Sequence, residues 1–236
     1  ALMLGAVLIG LAPIFVRVAE VGPVACAFWR CALAWPVLLL VLRRQPRTSL
    51  DLPRADLALM VGAGLFFAAD LSLWHHAIGD TSVANATLLA NLAPLFVASA
   101  AWLLWRERVS ARFAAGLFIA LGGTVVLVDP RTSLTHEALR GDLLAVASAA
   151  FYAGYLLAVT RLRRTRSTLQ IMTWSSASVA IVLLPVALLL DETIWPQTPQ
   201  GWAMLAGLAL LSHAAGQGLI AQSLATLPAA FSAVGL

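Results

Sequence analysis

Three ionisable side chains stand inside long apolar runs of the sequence, where each could do chemistry. They are Arg30, Asp70 and His213. Such a group is unfavourable in hydrocarbon unless it is paired, neutral or in contact with water, so it is a functional candidate by default. Arg30 and Asp70 both lie about eight residues from the same expected end of their runs, or roughly 12 Å deep at 1.5 Å per residue. This equal depth allows either a fixed structural ion pair or a site for a charged substrate group or a proton.

A second polar position lies near the expected midplane of a later run. His213 is followed by Gln217, four residues further on, so both side chains share one face of a helix. Imidazole titrates near neutral pH and could couple protonation to substrate release. The alternative is a histidine that is hydrogen-bonded to a neighbouring helix. His75 and His76 lie close to the end of their run, where we expect them at the membrane interface.

Aromatic and amide side chains inside the runs could shape a pocket. Tyr152 and Tyr155 lie at mid-depth, Trp74 lies one helical turn from Asp70, and Trp29 precedes Arg30. Ring faces and hydroxyl groups can bind polar or amphipathic molecules. The candidate substrate-binding residues are Arg30, Asp70, Trp29, Trp74, Asn85, Tyr152, Tyr155, His213 and Gln217.

The composition excludes a soluble globular enzyme. Of the 236 residues, 61% are hydrophobic and 11% are charged, whereas an average soluble domain is about 45–50% apolar and about 25% charged. The basic residues fall in short clusters between apolar runs, so nucleic acid is not an expected partner. Motifs of metalloproteases, α/β-hydrolases and P-loop proteins are absent, and we expect no catalytic residue, metal or cofactor.

The elements that must position these side chains are membrane-spanning helices, because about 20 apolar residues cross a bilayer. Apolar runs occupy 2–20, 22–42, 55–78, 82–105, 110–128, 142–160, 168–190 and 200–223, followed by an incomplete run from 227 to 236. None shows the alternation of a barrel strand. The sequence therefore predicts an all-α polytopic membrane protein, a helical bundle. Pro13, Pro36, Pro94 and Pro185 are expected to interrupt backbone hydrogen bonding, either as part of a gate or as ordinary membrane-helix prolines.

Charge sets the expected orientation. Arginines collect in alternate connections, at 43–54, 106–112 and 161–166, whereas the other connections carry mostly Asp and Glu. Because arginine-rich connections stay in the cytoplasm, the first run is expected to begin on the cytoplasmic side. We expect a multi-pass protein of the cell inner membrane.

A weak internal repeat organises the runs. A shift of about 146 residues lays 78–86 on 224–232, so the third run corresponds to the eighth and equivalent helices cross in opposite directions. We expect an inverted-repeat bundle of 5+5 transmembrane helices, with a first repeat over 1–128 that is trimmed at its N-terminus. The second repeat, over 142–236, is expected to lack its last one to two helices.

Several segments resemble the EamA-type members of the drug/metabolite transporter superfamily. The segment 28–34 resembles the start of that family's second helix, 77–86 its junction between helices three and four, and 91–94 its proline-bearing fourth helix. Residues 105–110, with Gly116, Gly122 and Gly123, resemble its Glu-Arg turn and glycine-bearing fifth helix. The resemblance implies movement of a substrate across a cytoplasmic membrane, commonly the export of amino acids or related metabolites.

The resulting functional hypothesis is a secondary transporter, an exporter of amino acids or related small metabolites by alternating access around a cavity between the two halves. A small-molecule substrate and the lipid bilayer are its expected partners, and proton coupling and a homodimer are both left open. The alternatives are an integral membrane enzyme and a passive channel or uniporter that uses the same cavity.

Overall fold

A computed structural model describes residues 1–45, 52–106, 115–119, 122–123, 126 and 135–227. The expected Glu-Arg turn at 107–110, most of the run 110–128 and the run beyond 227 lie outside these residues. The described backbone is helical in every long apolar run, which confirms the all-α prediction for the described chain. The helices are α1 (Leu2–Gly10), α2 (Ala12–Val18), α3 (Pro23–Arg43), α4 (Arg54–Asp80), α5 (Val83–Ala90), α6 (Ala93–Trp105), α7 (His136–Leu162), α8 (Thr168–Leu189), α9 (Pro199–Gly207) and α10 (Gly218–Ser223), with a π-helical segment, Leu208–Gln217, between α9 and α10.

Six stretches of this described chain are long and apolar enough to cross a membrane. They are Pro23–Arg43, Arg54–Asp80, Val83–Leu103, His136–Leu162, Thr168–Leu189 and Pro199–Ser223, and Leu2–Val18 is a shorter apolar stretch. The prediction that the chain is a multi-pass membrane protein is therefore confirmed.

Polar side chains cap the N-termini of several helices. Ser82, Thr135 and Thr198 each accept a hydrogen bond from the backbone N–H three residues later. Ser167 and Gln170 form a reciprocal capping box at the start of α8. These side chains satisfy the first N–H groups of each helix, which have no partner within the helix itself.

Two of the expected continuous runs are broken in the middle. The run 2–20 divides at Leu11 and the run 82–105 divides at 91–92, with Pro13 and Pro94 in the first turn of the helix that follows each break. Proline lacks an N–H group, and the first turn of a helix tolerates that loss. Pro36 and Pro185, by contrast, lie inside the continuous helices α3 and α8, where each removes one backbone hydrogen bond without ending the helix.

The interior is built around α4. This helix packs along both α7 and α8, while α3 packs against α8 and against the π-helical segment, which also contacts α1. At Gly64 the backbones of α4 and α8 come so close that an added Cβ would lie 2.7 Å from the Ser175 carbonyl oxygen and 2.6 Å from the Ser178 Cβ. Small residues permit such close approach between helices in lipid.

The two ends of the bundle carry different charges. At the carboxylate face, defined by Glu20, Asp80 and Glu192, helices α2, α4 and α8 end. At the arginine face, defined by Arg43, Arg44, Arg54 and the arginines of 161–166, helices α3 and α7 end. An ion pair between Arg166 and Asp56 lies at the arginine face, and one between Arg140 and Asp80 lies at the carboxylate face.

Two connections are joined at the carboxylate face. The Glu192 carboxylate accepts hydrogen bonds from the backbone N–H groups of Val24 (3.1 Å) and Ala25 (2.8 Å), at the start of α3. The Gly22 N–H donates to the Thr193 carbonyl at 2.9 Å. Glu20 in turn accepts from the Thr198 hydroxyl at 2.8 Å and from its N–H at 3.2 Å. The connection before α3 and the connection before α9 are therefore held together on both sides.

Candidate functional site

A cavity of about 780 Å³ lies between the helices, within the roughly 300–1,000 Å³ that is usual for small-molecule sites. Its wall includes residues of the first run, of α3, α4, α5 and α7, and of the π-helical segment. Of the nine candidate substrate-binding residues, five line it: Arg30, Asp70, Trp74, Tyr152 and Gln217. Positions from four separate helical elements therefore meet in one space.

Arg30 reaches this cavity from α3 with unused hydrogen-bonding capacity. The residue is 3% exposed, and its Nη2 lies 3.5 Å from the Ser212 hydroxyl, a long contact. The guanidinium carbon lies 5.8 Å from the centre of the Phe67 ring. Its Nε has no hydrogen-bond partner among the residues that the structure describes. A buried guanidinium with a free donor is suited to a planar anion such as a carboxylate.

Asp70 brings the opposite charge to the same cavity from α4. The Ser148 hydroxyl of α7 donates to its Oδ1 at 2.5 Å. Within the described part of the chain, the ion pairs are Arg140–Asp80, Arg166–Asp56 and the His76–Glu192 contact, and none joins Arg30 to Asp70. The fixed structural ion pair, one of the two alternatives from the sequence, is thus not formed.

Tyr152 and Gln217 form a polar bridge at the cavity wall. The Gln217 Nε2 donates to the Tyr152 hydroxyl at 3.1 Å, which connects α7 to the end of the π-helical segment. Both side chains also keep surface on the cavity. They provide a neutral donor and acceptor beside the two charges.

His213 lies behind the cavity wall rather than in it. Its Nε2 is 2.8 Å from the Ser176 hydroxyl and 3.9 Å from the Cys31 sulfur, and its Nδ1 has no partner. The ring stacks on Phe67 with centroids 5.5 Å apart. His213 therefore contacts the cavity only through the Phe67 ring, as expected for the alternative of a histidine bonded to a neighbouring helix.

Three further candidates lie outside the cavity lining. Tyr155 is buried, with its hydroxyl directed to the Met172 sulfur at 3.6 Å and its ring stacked on Phe67. Trp29 donates from Nε1 to the Ile194 carbonyl at 2.7 Å, in a cluster with two other tryptophans. Asn85 is buried in the first turn of α5, where its N–H donates to the Ser82 hydroxyl.

His75 is covered by protein rather than exposed as a polar tip at the membrane interface. Its side chain is 2% exposed, and its Nδ1 lies 2.9 Å from the Pro23 carbonyl oxygen. The helices α3 and α4 pack closely enough at this depth to cover the ring. His76 is partly exposed, with its side chain 38% accessible, and its Nε2 lies 4.0 Å from the Glu192 carboxylate.

Two residues outside the candidate set also shape the site. Phe67 forms part of the wall between Arg30 and His213, and Ser148 holds the Asp70 carboxylate. Neither had a signal in the sequence, because phenylalanine and serine are ordinary residues of membrane helices. Spacing from Asp70 places Phe67 on the adjacent turn, but no pattern indicates which residue of α7 faces it.

The cavity wall is formed by two groups of residues, which we name the polar end and the apolar end. Helices α3, α4, α7 and the π-helical segment supply Arg30, Asp70, Ser148, Tyr152 and Gln217. The first run and α5 supply mainly aliphatic residues to the other end, such as Ile9, Pro13, Val83 and Leu88. Among the residues that the structure describes, no three His, Cys, Asp or Glu side chains come together as a metal site.

Comparison with known proteins gives the family. The model of the EamA-like transporter family matches residues 1–129 and again 139–235. The pseudopaline exporter CntI of Pseudomonas aeruginosa is 24% identical over 78% of this chain and 63% of its own length. Solute carrier family 35 member G1 of Mus musculus is 28% identical over 54% of this chain and 35% of its own length. The chain therefore spans less than two thirds of these relatives.

The architecture is also shared with a solved structure. A crystal structure of a protein, 21% identical in sequence, superposes with a TM-score of 0.76 over 99% of this chain and 85% of that one. This likeness concerns the fold. The family and its named relatives are transporters rather than enzymes. The chain belongs to the EamA-like transporter family.

Proposed function

We propose that this protein is a secondary transporter that exports amino acids or related small metabolites across the cell inner membrane by alternating access. The observation that carries the proposal is the cavity in which Arg30 and Asp70 present opposite charges without pairing with each other. An α-carboxylate suits the guanidinium, and an α-ammonium suits the carboxylate. A zwitterion satisfies both groups, and neither charge is left buried alone.

The helix packing supports an inverted repeat as the basis of alternating access. The inverted repeat pairs the first apolar run with the sixth, the second with the seventh and the third with the eighth. Under this pairing α4 corresponds to the π-helical segment and α7 corresponds to α1. The contact between α4 and α7 therefore corresponds to the contact between the π-helical segment and α1. The packing of α4 on α8 corresponds to that of the π-helical segment on α3, and the α3–α8 contact corresponds to itself. Paired contacts of this kind suit a bundle whose halves exchange conformations around a central site.

The arginine face is proposed to be cytoplasmic, which places the N-terminus of α1 inside the cell. Export is the direction suggested by the name of the relative in Pseudomonas aeruginosa. A cavity carboxylate that holds only one hydrogen bond in the described chain, from Ser148, is a suitable proton carrier. We therefore include proton coupling through Asp70 in the proposal.

Counterflow in proteoliposomes tests the proposal. The purified protein is reconstituted with internal unlabelled amino acids, and uptake of labelled amino acids is followed from pH 5 to pH 8. We expect uptake by the wild-type protein and stimulation by a proton gradient. Asp70→Asn is expected to bind amino acids more weakly, because the carboxylate partner of the ammonium group is lost, and the exchange that remains should no longer depend on pH or on the proton gradient.

Asp191→Asn is the matched control, because Asp191 is an exposed carboxylate with φ 51, a backbone conformation that asparagine also tolerates. This variant should behave like the wild-type protein. Wild-type flux that ignores the proton gradient would support the passive uniporter instead. Absence of flux for every amino acid would overturn the substrate proposal.

A further inference from the structure

We propose that the apolar end of the cavity binds a bulky apolar substituent of the zwitterionic substrate, and that Gly10 sets the size of this subsite. The inference rests on the proposed function, because the polar end must hold the charged groups. It goes further by naming which members of the substrate class the protein prefers.

The separation of polar and apolar groups within one cavity is the first argument. The two charged side chains and the Gln217 amide come from α3, α4 and the π-helical segment. The first run and α5 contribute a mainly aliphatic part of the wall that includes Ala6, Ile9, Gly10, Val83, Ala84 and Leu88, and the polar residues on the α5 side are Thr87 and Asn91. A substrate that fills both ends needs a polar head and an apolar tail, since an aliphatic wall stabilises only apolar groups.

The number of charges at the polar end is the second argument. Arg30 is the buried cation that lines the cavity, and its Nε lacks a partner in the described part of the chain. Asp70 is the carboxylate that lines it. One cation and one anion match a molecule with one carboxylate and one ammonium group. A second charge on the substituent would have to enter the aliphatic end unpaired, which is unfavourable.

Gly10 is the position at which the size of the apolar end can be tested. It is the last residue of α1 and lines the cavity, and an added Cβ there would meet nothing within 4 Å. A side chain at this position would therefore meet no steric obstacle among the described residues, and because Gly10 lies on the cavity wall, we expect a long side chain there to narrow the subsite. Its backbone lies outside the left-handed region, so a larger residue adds no strain of that kind.

Gly62 provides a matched control. It lies within α4, an added Cβ there would also meet nothing within 4 Å, and the residue does not line the cavity. Gly10→Leu and Gly62→Leu thus introduce the same side chain into open space on a helix. Only the first is expected to change the cavity.

The experiment is competition against labelled L-leucine in counterflow with the wild-type protein. Unlabelled L-leucine and L-phenylalanine should compete well, and L-alanine should be about tenfold or more weaker because it leaves the apolar end unfilled. L-glutamate should compete poorly. Two leucine analogues, 4-methylpentanoate without the ammonium group and 3-methylbutylamine without the carboxylate, should also compete poorly.

The variants then locate the subsite. Gly10→Leu should weaken the binding of leucine and phenylalanine about tenfold or more, while the apparent affinity for alanine stays within twofold. Gly62→Leu should leave all three unchanged. Ala84→Leu, on the α5 side of the same cavity, is the second variant and should reproduce the Gly10→Leu pattern. Size-exclusion profiles and thermal unfolding show whether each variant is folded.

The outcomes separate this inference from the proposed function. Transport of serine, alanine or glutamate in preference to leucine overturns the apolar subsite but leaves amino acid export standing. Equal effects of Gly10→Leu and Gly62→Leu, or equal loss of alanine and leucine binding in Gly10→Leu, overturn the role of Gly10. Absence of transport for all amino acids overturns both proposals.

Discussion

Of the four proline-containing apolar runs named above, two form continuous helices and two are broken. Helices α3 and α8 continue through Pro36 and Pro185, whereas the runs 2–20 and 82–105 break just before Pro13 and Pro94. The continuous helices pack against each other in the interior, and the broken runs supply the apolar wall of the cavity. Pro36 and Pro185 lie on exposed faces of α3 and α8, whereas Pro13 and Pro94 are buried. The breaks are therefore found where the chain borders the cavity, and the unbroken helices carry their prolines on the outside of the described bundle.

The largest expected effect is on the stability of the packing between α4 and α8. Gly64→Val would force a branched side chain against the Ser175 carbonyl and the Ser178 Cβ, both already within 2.7 Å of an added Cβ. Separation of α4 from α8 should lower the free energy of unfolding by about 3 kcal/mol, the upper part of the range for overpacking. Thermal unfolding of the purified protein measures this loss.

Gly62→Val is the comparison for this prediction, because an added Cβ at Gly62 meets nothing within 4 Å. It should change stability by less than about 1 kcal/mol, the scale of helix propensity. If both variants unfold at the same temperature, the close approach at Gly64 is not what holds α4 to α8.

A smaller effect is expected where α3 begins. Glu192→Ala removes the carboxylate that accepts from the Val24 and Ala25 N–H groups. Loss of a helix cap costs about 1 kcal/mol, and loss of a negative charge at a helix N-terminus adds to it. The melting temperature should fall, and Asp191→Asn, at the neighbouring exposed residue with φ 51, should leave it nearly unchanged. A fall of equal size in both variants would assign the effect to the connection rather than to the cap.

The smallest effect is expected for substrate affinity, from a change at the cavity wall. Tyr152→Phe removes the hydroxyl that receives the 3.1 Å hydrogen bond from Gln217. Hydrogen bonds between membrane helices contribute about 0.6 kcal/mol on average, so substrate affinity in counterflow should change by no more than about threefold. A loss of tenfold or more would mean that the hydroxyl contacts the substrate directly and would place Tyr152 among the main binding groups.

The fold class could be predicted from the sequence because hydrophobic length is a local property. The helix α7 shows the limit of that argument, since it begins at His136, before the expected apolar run. A capping threonine, Thr135, and an ion pair at Arg140 extend the helix beyond its hydrophobic part. The sequence likewise did not predict the breaks at Leu11 and at 91–92. A proline near a break looks the same in the sequence as Pro36, which lies inside a continuous helix.

The site was predicted in part. Arg30 and Asp70 were found because a charge in an apolar run is conspicuous whatever its surroundings. The sequence could not show that Phe67 separates His213 from the cavity, since that depends on how α4 and the π-helical segment pack. The burial of His75 could not be predicted for the same reason, because distance from the end of a run says nothing about the helix that covers the side chain.

The carboxylate that caps α3 has a consequence for how the protein is made. Glu192 lies 168 residues downstream of Val24, the backbone group to which it is bonded. During synthesis, α3 therefore enters the bilayer with N–H groups whose native acceptor has not yet been synthesised. Amide protection at Val24 and Ala25 should consequently appear only after α8 has been inserted, making the start of α3 a late reporter of assembly.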